Sequence, residues 1–167
     1  MNLTMATFLQ LSLVLSGGEA TNSPRIGTYD WAHKEVTETG QPMFVLVGAK
    51  WCPACVEMKE NVVPVIRRRG LLRKVVYAYV DLDEEKRLGR ELTSRGPIPQ
   101  LITFRRTDKG WIRSKIIGGR GPRVVEAFIN ETLTLDQREQ QAMKEAKGSE
   151  QPGSRQAQQS HRDGRST

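Results

Sequence analysis

The sequence predicts an α/β fold: one mixed central sheet flanked by helices on both faces. Three observations carry this. Met43 to Val47 is an unbroken apolar run of strand length, as expected of a strand covered on both sides. Strand-like and helix-like stretches alternate through the first half, the pattern of a βαβ unit with a right-handed crossover. Two strand-like stretches joined by Thr107-Asp108-Lys109-Gly110 then make a hairpin, which adds antiparallel strands to the sheet.

The elements follow in order. Asp30 is placed to cap a helix running through Trp31, Ala32 and Val36 to Gly40, and Gln41-Pro42 breaks it. After the 43–47 strand, Met58, Val62, Val65 and Ile66 recur at helical spacing, and Pro64 is expected to kink or split that helix. In Val75 to Leu82, a second strand, Val76, Ala78, Val80 and Leu82 alternate with Tyr77, Tyr79 and Asp81. Glu84 to Arg95 is a short helix presenting Leu88 and Leu92. Gly96-Pro97-Ile98-Pro99 interrupts the chain before strands at Gln100 to Arg105 and Trp111 to Ile117, and Gly118-Gly119 ends the second. Pro122 suits the first turn of a last helix through Val125, Phe128 and Ile129.

Both termini differ in kind from this middle. Residues 5 to 15 form an apolar run too short to span a bilayer comfortably, and Gly18-Glu19-Ala20 supplies small residues for cleavage after Ala20. The expectation is a signal peptide over 1–20, a folded domain over 21–133 and a C-terminal extension over 134–167. In the extension Thr134 to Gln137 fits a capping box, Leu135, Ala142, Met143 and Ala146 extend helix to about Lys147, and the rest reads as coil. An exported, periplasmic or extracytoplasmic protein follows, with no membrane span in the mature chain; an uncleaved signal would make it anchored instead, since no Lys or Arg precedes the run.

The formal net charge is +7, carried by the middle of the chain. Charge of this kind bears on association rather than on fold. The densest run, Arg67-Arg68-Arg69 with Arg73-Lys74, reads as a solvated helix end, where cations are favoured. No recognition module or interleaved aromatics accompany it, so nucleic acid is not an expected partner.

The chemistry concentrates in one place. Cys52 and Cys55 are the only cysteines, and they sit in Trp51-Cys52-Pro53-Ala54-Cys55 at a strand-to-helix junction. A disulfide framework, which needs cysteines spread along the chain, is excluded. A purely structural Cys52–Cys55 bridge closes so small a loop that chain entropy contributes only about 2 kcal/mol. Cu(I) held by the two thiolates with Met58 is the sharper rival to a redox role, although Met58 also fits core packing. Zinc is poorer: His33 and His161 are the only histidines, and neither has ligand spacing to the motif.

These pieces together resemble the thioredoxin-fold superfamily. The likeness rests on Trp51-Cys52-Pro53-Ala54-Cys55, on Ile98-Pro99 ahead of the third strand and on Gly118-Gly119 before the last helix, and it covers roughly residues 27 to 133. Within that superfamily the chain is most similar to exported thioredoxin-like proteins and to the thiol-reducing domain of the bacterial thiol:disulfide interchange protein, which share the opening helix, a Gly-x-Pro, an apolar strand and Ala-x-Trp-Cys-x-x-Cys.

The resemblance implies a thiol:disulfide oxidoreductase acting on protein thiols and disulfides, served by an upstream redox partner, monomeric and without a cofactor beyond the Cys52–Cys55 pair. Cys52 would cap the helix, where unpaired N–H groups and the dipole favour its thiolate. Pro53 at the first helical position costs no hydrogen bond, and Cys55, one turn on, would resolve the mixed disulfide. The likeness makes Pro99 a cis proline whose neighbour Ile98 offers backbone groups to a substrate segment, with Trp51 and Gly118 bordering the groove.

There is one departure. Many thioredoxins bury an aspartate on the strand before the motif, paired with a lysine on the next strand; here those positions are Leu46 and Tyr79. Nothing ionisable is then expected beneath Cys55, and Lys50 or a water is the available substitute. Pro53-Ala54 matches neither the Gly-Pro of thioredoxins nor the X-His of strong oxidants, which leaves the direction of electron flow open.

Overall fold

The computed structural model describes residues 25–149. Its order is β1 (Arg25–Gly27), α1 (Tyr29–Thr39), β2 (Met43–Gly48), α2 (Pro53–Glu57), a π-turn (Met58–Val62), α3 (Val63–Arg68), a short 3₁₀ turn (Leu71–Arg73), β3 (Val76–Asp81), α4 (Lys86–Thr93), β4 (Gln100–Thr107), β5 (Gly110–Ile117) and α5 (Pro122–Ser149). The five strands lie in the order β1-β3-β2-β4-β5. β1, β3 and β2 run parallel, and β4 and β5 are antiparallel to their neighbours. The expected mixed α/β sheet is what the chain forms.

Period-2 alternation divides the central strands between two cores. Met43, Val45 and Val47 of β2 join Val76, Ala78 and Val80 of β3 against Ala32 and Val36 of α1 and Leu92 of α4. Phe44 and Leu46 face the other way with Tyr77, meeting Met58, Val62, Val63 and Ile66 and then Val125, Phe128 and Ile129 of α5. Every residue of β2 is buried, so the strand anchors both layers. Each fully buried large side chain contributes roughly 1.5–3 kcal/mol relative to exposure.

Several local expectations are corrected. β1 carries no signal in the sequence, because three residues are too few to show a period. The cap of α1 is Thr28, whose hydroxyl accepts the Trp31 N–H at 3.3 Å, and Asp30 sits inside the first turn, where its charge still suits the dipole. Pro64, expected to kink or split its helix, stands in the first turn of α3, and the stretch is divided into α2, the π-turn and α3. The preceding residues widen into the π-turn, which accommodates the hydrogen bond that proline cannot make. α4 begins two residues later than Glu84, because the Glu84 and Glu85 N–H groups both donate to the Asp81 carbonyl in a turn that closes β3.

The capping box expected at Thr134 does not form. α5 passes unbroken through residues 133 and 134, and the Thr134 hydroxyl donates to the Asn130 carbonyl within the helix. A buried Asp136 lies just beyond, its carboxyl accepting from Gln140 at 2.8 Å and raised above the ordinary aspartate range chiefly by burial. The signal-peptide expectation over 1–20 and the coil expected towards residue 167 lie outside the described residues, as does His161.

Candidate active site

The site lies where β2 ends and α2 begins. The apolar pull of β2 on both cores fixes the strand, and Ala49 carries the chain over its end, accepting the Cys52 N–H at 3.2 Å. Cys52 has extended backbone angles (φ −94°, ψ 106°) and is the cap of α2, with Pro53 in the first turn. Its Sγ accepts the Cys55 N–H at 3.2 Å. A sulfur in that place faces unpaired helix N–H groups, which favour its anionic form once the bond to Cys55 is reduced. Cys52 and Cys55 are joined in a disulfide. Cys55 is fully buried, whereas Cys52 retains 7% exposure.

Around this pair the fold gathers the other expected residues. Trp51 stands 66% exposed on the rim, and its indole N–H donates to Asp83 at 3.2 Å. Ile98 packs with Ala49, Cys52, Cys55 and Leu82, and the Ile98–Pro99 peptide is cis. Pro99 presents its carbonyl to the N–H of Gly118 at 2.8 Å, which joins the loop before β4 to the end of β5. Gly118 needs its lack of a side chain, since its φ is +86°. Ala54 meets Gly119 instead: a Cβ there would stand 3.6 Å from the Ala54 Cβ. Pro53 and Ala54 themselves are exposed on the outer side of the turn.

Residues that sequence reasoning passed over do much of the positioning. The fully buried Gln100 donates from Nε2 to the Thr93 and Pro97 carbonyls at 3.1 and 3.0 Å, holding the loop that carries Ile98 and Pro99. A glutamine opening a strand gives no pattern that would flag this. The Arg120 N–H donates to the Met58 sulfur at 3.2 Å and ties the loop after β5 to the π-turn. Met58 is buried and occupied in this way, so its sulfur serves packing and this bond. His33 lies between the rings of Tyr29 and Trp111, each 6.2 Å away by centroid.

The space beneath Cys55 departs most from expectation. Lys50 does not serve there. It is a surface residue whose ammonium pairs with Glu84 at 2.5 Å, a contact that raises its pKa. Nor is the space free of ionisable groups. Gly48 ends β2 directly under Cys55; the place its Cβ would fill is 2.9 Å from the Cys55 Cβ and 3.3 Å from both the Cys55 Sγ and the Tyr79 hydroxyl. Burial above all, then Asp81, Glu84 and Asp83, pushes the Tyr79 phenol up to about 12. Asp81, paired with Gly48 in the β2–β3 register, is also buried.

Comparison with solved structures identifies the architecture. A thioredoxin from Thermus thermophilus superposes with a TM-score of 0.58 at 23% identity, covering 68% of this chain and 90% of that one. The fold is thioredoxin-like. Trichomonas vaginalis thioredoxin gives 0.53 at 19% identity over 66% of this chain and 99% of its own. A mutant thioredoxin from Halobacterium salinarum gives 0.50 at 20% over 66% and 90%. The chain matches no family model and no curated protein sequence. At these identities the likeness is one of fold.

Proposed function

We propose that the protein is a thiol:disulfide oxidoreductase that exchanges disulfides with protein substrates through Cys52 and Cys55. One observation carries the reading: a cysteine at a helix cap, accepting an N–H from the residue to which it is disulfide-bonded, with that second cysteine fully buried. The asymmetry separates the roles. In the reduced protein the Cys52 thiolate attacks a substrate disulfide, forming a Cys52–substrate bond and releasing one substrate thiolate. Cys55 then attacks Cys52 Sγ, reforming the internal disulfide and releasing the second thiolate. Run in reverse, the same two steps oxidise a substrate dithiol. Ile98, beside the pair, offers its backbone to an extended substrate segment, bordered by Trp51, Pro99 and Gly118.

The reading predicts unequal reactivity. In the reduced protein iodoacetamide modifies Cys52 well before Cys55, and the pH dependence of that modification places the Cys52 thiol below the range of a free cysteine. Peptide mapping of the alkylated protein over a pH series measures both. Equal rates at the two cysteines would favour an inert scaffold.

The compartment belongs to the same proposal. The apolar run at 5–15 and the small residues up to Ala20 support export, in keeping with the likeness to exported thioredoxin-like proteins and to the thiol-reducing domain of the interchange protein. The mature chain then begins at about Thr21, acts as a monomer and receives its electrons from, or passes them to, an extracytoplasmic partner. N-terminal sequencing of natively produced protein checks this, and recovery of Met1 in the cytosolic fraction would refute it.

A further inference from the structure

Asp81 is an unusual residue to bury. It is 3% exposed at the end of a central strand. One carboxyl oxygen accepts the Asp83 N–H at 2.9 Å, and the other has no hydrogen-bond partner among the described residues. A buried polar atom without a partner is costly, and its presence asks for a use.

Its position supplies one. Tyr77, Tyr79 and Asp81 alternate onto the face of the sheet that α2, the π-turn and α3 cover, where the Tyr77 ring meets Phe44 at 5.8 Å by centroid. Asp81 is the register partner of Gly48, one strand spacing away, or about 4.8 Å. The Tyr79 side chain leans along β3 towards that level, because its hydroxyl reaches the space above Gly48, where the Cys55 sulfur also arrives. A cysteine sulfur and a phenol therefore meet over one glycine, and the Asp81 carboxyl lies on the same face at the paired register position.

We infer that Asp81, acting through the Tyr79 hydroxyl, takes the proton from Cys55 when Cys55 resolves a mixed disulfide at Cys52. The inference rests on the redox reading above. A thiol does not attack a disulfide; a thiolate does. Cys55 is fully buried, so its proton needs an acceptor inside the protein. The Cys55 thiol gives its proton to the Tyr79 oxygen while the Tyr79 hydroxyl, turning towards the Asp81 oxygen that has no partner among the described residues, gives its own to that carboxylate, leaving the phenol unchanged. The Cys55 thiolate attacks Cys52 Sγ. The Cys52–Cys55 bond forms, the bond from Cys52 to the substrate sulfur breaks, and that sulfur leaves with the electron pair.

The surroundings fit a relay. With its pKa pushed up to about 12, Tyr79 stays a neutral hydroxyl able to accept and donate at once. The Lys59 ammonium from the π-turn lies 4.2 Å over the centre of its ring. Charged groups at this end of the strand among the described residues include Asp83, Glu84 and Glu85 in the turn after β3 and Lys50 before α2, with Lys50 held outward by Glu84.

The test uses the full chain with the aromatic disulfide 5,5′-dithiobis(2-nitrobenzoate). Reduced protein releases one coloured thiolate as Cys52 forms a mixed disulfide and a second as Cys55 resolves it, so stopped-flow absorbance separates the steps. Asp81→Asn keeps an oxygen for the Asp83 N–H and removes the proton acceptor; Tyr79→Phe removes the hydroxyl. For each, the ratio of second-phase to first-phase rate at pH 7 is expected to fall about tenfold or more, with the second phase regaining speed as pH rises and Cys55 ionises unaided. Asp81→Glu restores part of the ratio. An unchanged ratio and pH profile in Asp81→Asn, or equal slowing of both phases, overturns the inference. A wild-type protein that shows no second phase overturns the redox reading itself, and this inference with it.

Discussion

Replacing Cys52 by alanine is expected to cut the reduction of insulin disulfides by on the order of 10³-fold or more, to the rate of the dithiol reagent alone. Cys55→Ala should fail differently. Its Cys52 thiolate still attacks, but no internal thiol resolves the product, so the protein accumulates as a mixed disulfide that only the external dithiol reagent can slowly release. Both variants lose the same small-loop disulfide, worth about 2 kcal/mol of stability in the oxidised state. The contrast between them therefore reports chemistry rather than folding. Turnover assays with mass spectrometry of the trapped species distinguish the cases. Full activity in Cys52→Ala would remove the nucleophile from the site, and a Cys55→Ala protein that turns over normally would remove the resolving role.

How far the sequence speaks can be judged at β3. Its alternation of Val76, Ala78 and Val80 with Tyr77, Tyr79 and Asp81 reads as one buried face and one polar face. The strand is in fact central, between β1 and β2, with helices over both faces, so its polar side is buried as well. Periodicity reports which side chains share a face and is silent on what covers that face. For this reason Asp81 is not visible as a site residue in the sequence, where it reads as one more residue on the polar face of the strand at 75–82.

The cysteine turn is legible for the opposite reason. Cap, Pro53 and one helical turn are local features, and local sequence determines them. The convergence of Ile98, Pro99 and Gly118 on that turn is non-local and comes through resemblance; the chain brings them together by the β2–β4 and β4–β5 pairings and the Gly118 to Pro99 bond. Gln100 and the π-turn have no sequence signal beyond the warning given by Pro64.

Leu46→Asp is the variant expected to cost the most stability. Leu46 is fully buried, paired across the sheet with Tyr79 on one side and Leu101 on the other, and faces the core of Phe44, Met58 and Ile66. Losing its methyl groups and burying a carboxyl in their place should remove about 3 kcal/mol or more, a large share of the roughly 5–15 kcal/mol typical of a domain. The penalty depends on pH with a definite sign. Burial raises the folded-state pKa of the new carboxyl above its unfolded value of about 3.9. Below that value both states are neutral, and the penalty is smallest. As pH rises the unfolded chain ionises first, so stability relative to wild type falls until the raised pKa is passed and then levels off. Denaturant melts at several pH values measure the trend. The same variant examines the chemistry, because position 46 shares a face with Gly48, two residues along β2 and beneath Cys55. A carboxyl there offers Cys55 a second proton acceptor, and in the Asp81→Asn background it should recover part of the lost resolution rate. A Leu46→Asp protein as stable as wild type at every pH, and unchanged in its second phase, would mean that position 46 does not lie under the cysteine turn.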